Sequence, residues 1–100
     1  MIETEIQTAI SYDGKILSIH LADKEGEPLK LNSTHEKLMH LIIVSENLKN
    51  FYHLHPVRIN DLTFEVEHSL TNGTYKAFID INPIGINYVI KPNQFRYILA

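Results

Sequence analysis

Cysteine is absent from the 100 residues. That excludes a disulfide framework, a thiolate metal site and a cysteine nucleophile, and it leaves the redox compartment open. Charge of one sign is scarce as well. The nine Lys and Arg are scattered against twelve Asp and Glu, for a net charge of −3 with histidines neutral. Without a basic stripe, nucleic acid and anionic membrane surfaces are excluded as expected partners. No apolar run reaches spanning length, so no membrane-spanning segment is expected. No charged-then-apolar leader opens the chain. A natural start at Met1 would imply a cytoplasmic protein; a leader trimmed ahead of it would imply the cell envelope or the extracellular space. A Gly-x-Ser-x-Gly elbow and a Gly-rich phosphate loop are both missing, as is any activated nucleophile or acid–base pair. The chain is therefore expected not to be an enzyme.

What is present is ordinary globular material, 44% hydrophobic and 21% charged. One domain over residues 1–100 is expected, large enough for a core of its own. Two-residue alternation dominates. Ile2, Thr4, Ile6, Thr8 and Ile10 share one face of a first strand, and Leu17, Ile19 and Leu21 share one face of a second. Turns follow at Tyr12-Asp13-Gly14-Lys15 and at Lys24–Pro28, and Leu29–Thr34 is a connector. Leu62–Leu70 alternates again, with Phe64 and Val66 inward, Glu65 and Glu67 outward, and His68 on the apolar side. Asn72-Gly73 then signals a hairpin into Tyr75–Ile81. Ile86–Ile90 and Phe95–Leu99 complete the set, with Val57–Asp61 as a loop. No segment of helical length shows a convincing 3.6-residue period. Seven or so short strands between Gly, Pro and Asn turns describe an all-β, antiparallel, immunoglobulin-like β-sandwich.

The chain is organised around His35–Pro56, which holds four of the six histidines. Leu38–Val44 is apolar except at His40, which reads as a strand buried on both faces. Imidazole inside such a run must be hydrogen-bonded or liganded. His53 and His55 stand two residues apart, a spacing that on a strand turns both rings to one face. Two imidazoles so placed can close on one metal ion, and His40 is the best third ligand, with His35 next and Glu36 behind it. Met39 falls on the opposite face from His40. Imidazole donors suit copper or zinc. The same residues admit a second reading, in which the histidines brace the core as a polar network and Pro56 ends the strand.

The pattern His35-Glu36-Lys37-Leu38-Met39-His40-Leu41-Ile42-Ile43-Val44-Ser45, continued by Leu48-x-x-Phe51-x-His53-x-His55-Pro56, resembles the YtkA-like domain. Asp23–Pro28 before it, and Phe64-Glu65-Val66, Gly73, Tyr75-Lys76 and Asp80-Ile81-Asn82-Pro83 after it, extend the resemblance over roughly residues 15 to 90. Leu70 stands where that family usually has Phe. The resemblance implies a bacterial envelope domain of immunoglobulin-like fold, linked to copper handling. Two functions are therefore expected of the chain. One is non-enzymatic copper or zinc binding at His40, His53, His55 and His35. The other is an accessory domain that docks on an unknown protein partner while the histidines serve structure.

Overall fold

A computed structural model describes residues 6–99, all of them strand, turn or irregular chain. Nine strands occur among these residues. They are β1 (Ile6–Tyr12), β2 (Ile16–Asp23), β3 (Leu31–Asn32), β4 (Met39–Ser45), β5 (Phe51–Leu54), β6 (Val57–Asn60), β7 (Thr63–Glu67), β8 (Gly73–Pro83) and β9 (Pro92–Tyr97). They form two antiparallel sheets. One has the order β1-β2-β7-β6; the other has the order β3-β8-β4-β5, with β9 also paired to β8. Lettered in chain order as A, B, C, C′, D, E, F and G, with the two-residue β3 left out, the sheets read A-B-E-D against G-F-C-C′. That is the strand order of immunoglobulin-type sandwiches.

Alternation drives the packing. Leu17, Ile19 and Leu21 of β2 and Phe64 of β7 point inward from one sheet. Met39, Leu41 and Ile43 of β4 meet them from the other, beside Tyr75, Ala77, Ile79 and Ile81 of β8. All are buried, and each large apolar side chain so removed from water contributes about 1.5–3 kcal/mol. Two hydroxyls tie the chain where it crosses between sheets. Tyr75 Oη donates to the Thr71 carbonyl at 2.7 Å, the corner contact seen at the start of strand F in immunoglobulin-type domains. Tyr12 Oη donates to the His68 carbonyl at 2.8 Å and accepts from the Leu70 amide at 2.9 Å.

Several expectations are corrected. The Asn72-Gly73 turn makes no hairpin, because β7 pairs with β2 and β6 while β8 lies in the opposite sheet. Val57–Asn60, expected as a loop, is strand β6, paired to β7 with an irregular register between Arg58 and Asn60. Its apolar residues alternate outward, Val57 and Ile59 being exposed, while Arg58 turns inward over the Phe64 ring and donates to the Leu29 and Asp61 carbonyls. Ile86–Ile90 forms no strand; Tyr88 instead donates its hydroxyl to the Ile79 carbonyl. The expected strand pattern at residues 2–5 lies outside the described residues, but its continuation, Ile6 to Ile10, is β1. Among the described residues no helix is long and apolar enough to cross a membrane.

β4 also departs from a strand buried on both faces. Its inward residues are fully covered, but Ile42 and Val44 on the outward face are only half-buried. They lie beside Phe78 of β8 and exposed Phe51 of β5. The apolar run is thus the floor of an outer surface, and His40 sits at one end of it.

Candidate metal centre

The register of β4 and β5 assembles the histidines. Leu41 pairs with Leu54 and Ile42 with His53, and one step further sets His40 opposite His55. Alternation puts His40, His53 and His55 on the outward face, while Met39 is fully buried in the core on the other. Pro56, buried just after His55, begins the crossing to β6 in the second sheet. The ring centroids of His40 lie 5.3 Å from His53 and 4.9 Å from His55, and those of His53 and His55 are 5.0 Å apart. One nitrogen from each of the three rings lies within 4.8 Å of the others.

His40 forms the base of the cluster, only 8% exposed, and the other two rings face solvent. Its Nε2 donates to the Thr34 carbonyl at 2.8 Å, and its Nδ1 lies 3.1 Å from His53 Nε2. A carbonyl oxygen only accepts, so the Nε2 of a neutral His40 carries the proton and Nδ1 presents a lone pair. That lone pair is turned toward the other two rings. A backbone acceptor on the second nitrogen is how metal-binding histidines are commonly oriented.

Thr34 is held by a two-residue turn. Its amide donates to the Lys37 carbonyl at 2.8 Å, and the Lys37 amide donates back at 3.1 Å. The central residues, His35 and Glu36, have φ of 51° and 66°. This is the type I′ geometry that Asn-Gly adopts readily, and for Glu it is strained. The turn places the His35 ring 6.2 Å from that of His40, edge-on. His35 lines the same depression but is not among the three mutually close donors. Glu36 is exposed in the turn and also stands outside the donor group.

The depression holds about 410 Å³ and is open to solvent, lined by His35, Lys37, His40, Ile42, His53, His55 and Asp80. Asp80 is the β8 residue paired with His40, yet its carboxylate lies outside the close donor group. Loss of solvation in the crowded cluster holds the His55 imidazole below its ordinary value. The charges of His40, His53 and then Lys37 push in the same direction. A neutral His55 keeps its lone pair available.

Coordination at about 2.0–2.1 Å per nitrogen requires donor atoms about 3.3 Å apart around a tetrahedral ion. The His40–His53 pair already meets that spacing. Its wider partner, His55, is an exposed side chain whose rotamer changes are fast. Three imidazoles then leave one position for water or an outside ligand. The remaining histidines lie elsewhere: His20 is exposed on β2, and His68 packs edge-on against Tyr52 at 4.5 Å with Nε2 buried and unpartnered. Sequence reasoning did not find the Thr34 carbonyl, Lys37 or Asp80. A backbone acceptor leaves no trace in residue type, and Asp80 reaches the site only through the β4–β8 register.

The chain belongs to a family described as a domain of unknown function (DUF8832), whose model matches residues 4–92. No curated protein and no solved structure matches it.

Proposed function

Because that family's description names no activity, we propose from the site that the protein is a non-enzymatic metal-binding domain. Its ion is held by His40, His53 and His55. The observation that carries this is the convergence of three imidazole nitrogens within 4.8 Å, one of them fixed with its lone pair inward. Neutral nitrogen donors favour Cu²⁺ over Zn²⁺ by intrinsic affinity, and three of them with one open position are equally at home with zinc. The resemblance of His35–Pro56 to YtkA-like domains supports copper as the first choice. His35 stays outside the donor set in this reading. In this reading the site holds an ion and runs no reaction; Asp80, which lines the depression, lies outside the group of close donors.

A second reading has a specific observation in its favour. His40 has both ring nitrogens paired within the protein, so the cluster satisfies its buried member without an ion. On that reading the histidines brace the sheet edge and the protein is an interaction domain. Isothermal titration of metal-free protein with Zn²⁺ and Cu²⁺ separates the two. One equivalent of binding heat, lost in His53→Ala/His55→Ala, supports the metal site. No heat with either ion leaves the structural brace.

A further inference from the structure

Resting on the metal-binding reading of the same site, we infer that an ion enters by replacing the His40–His53 hydrogen bond. Thr34 is then the positioning residue that holds His40 unchanged, while His53 exchanges one ring tautomer for the other. The Thr34 carbonyl fixes the proton of His40 on Nε2. The Nδ1 of His40 is then an acceptor, so the Nε2 of His53, 3.1 Å away, must be the donor. Both rings are therefore Nε2–H tautomers in the metal-free protein.

The two nitrogens already facing each other are those an ion would need as lone pairs. His40 can offer Nδ1 as it stands. His53 cannot offer Nε2 until the proton there is released to solvent and another is taken up at Nδ1. The exchange balances, with no net proton gained or lost, and His53 is an exposed residue, so solvent can carry the proton. One ring of the pair is thus locked and the other is free to change.

The lock is built from the strained turn. Thr34 O accepts from both the Lys37 amide and His40, so the carbonyl is held by a closed ring of backbone bonds. His35 and Glu36 hold positive φ at both central positions without a glycine. Backbone strain of this kind persists where the surrounding structure over-determines it, and it gathers at ligand sites. Here the turn's product is a fixed acceptor for the one buried histidine.

The test is long-range ¹H–¹⁵N correlation of the imidazole nitrogens in the ¹⁵N-labelled full chain, at about pH 8 where free imidazole is neutral, with and without Zn²⁺. Metal-free protein should show Nε2–H on both His40 and His53. With Zn²⁺, His40 should remain Nε2–H while His53 converts to Nδ1–H. Zinc bound with His53 still Nε2–H, or with His40 inverted, overturns the inference while leaving metal binding intact. Histidine signals that ignore Zn²⁺ altogether overturn the metal reading and this one together. Two variants isolate the turn. Glu36→Gly preserves the positive φ of the turn and should keep the His40 signature and zinc affinity. A glycine inserted between His35 and Glu36 displaces Thr34 and should weaken zinc binding about 10–100-fold, the usual cost of losing a ligand's orienting partner. Unchanged affinity in a folded insertion variant removes Thr34 from the mechanism.

Discussion

Substituting His53→Ala/His55→Ala and melting the protein with and without metal separates the energetics of a site from those of a brace. In metal-free protein the substitution strips His40 Nδ1 of its donor but leaves the bond from Nε2 to Thr34 in place. The removed rings are exposed and the depression is open, so water can replace the lost donor. The cost should therefore fall near that of one ordinary hydrogen bond, about 0.5–1.5 kcal/mol. Unfolding entropy of about 2.1 cal/mol/K per residue gives about 0.21 kcal/mol/K for the 100 residues. The metal-free variant should melt about 2–7 °C below the native chain on that scale. An ion at a hundred times its Kd adds about 2.7 kcal/mol to the native protein, which is about 13 °C. Differential scanning calorimetry with Zn²⁺ and with Cu²⁺ should thus show a rise in the native chain and none in the variant. An equal rise in both proteins would place the ion elsewhere. No rise in the native chain, beside a variant that only melts earlier, would refute the metal reading.

Three further outcomes follow from the same structure. Stability should depend on pH at both ends. The folded-state pKa of His55 is depressed, so its contribution is complete above the free imidazole value of about 6.5 and is lost as pH falls from there through the folded value. Tyr88 is pushed up to about 12, first by burial and then by Asp80. Its contribution is present below the free phenol value of about 10 and is lost as pH rises through the folded one; melting across the pH range checks both, and Tyr88→Phe should flatten the alkaline limb. Tyr75→Phe removes the bond to the Thr71 carbonyl in a side chain that is otherwise buried and should cost about 0.5–1.5 kcal/mol by denaturant titration. Gly14→Ala should cost more, about 1–3 kcal/mol in the same assay, because φ there is +100° and the new Cβ would meet Tyr97 Oη at 2.6 Å.

Much of this was legible from residue order. Alternation located β2 and β8 and chose their inward residues, because a pleated strand sends alternate side chains to opposite faces whatever its neighbours are; β4 stood out as an apolar run, and its outward face was not foreseen. The same rule put His53 and His55 together and sent Met39 away from His40. It failed where pairing partners decide. Asn72-Gly73 carries hairpin chemistry, yet the chain uses it to cross between sheets, since β7 completes its hydrogen bonds with β2 and β6. Val57–Asn60 looked like a loop because it is an outer strand with its apolar residues turned to solvent, which inverts the usual pattern.

The candidate site divides along the same line. The sequence by itself determined the donor types and the shared face of His53 and His55, because period and residue identity are local properties. It also ruled out thiolate ligands. Only the tertiary structure decided that the β4–β5 register sets His40 against that pair, and that His35 stands outside the donor group. The Thr34 carbonyl orients the buried ring through a turn whose strained geometry its residues do not announce. Those facts depend on which strands hydrogen-bond and in what register, and register is settled by burial summed over whole sheets, beyond the reach of any short stretch of chain.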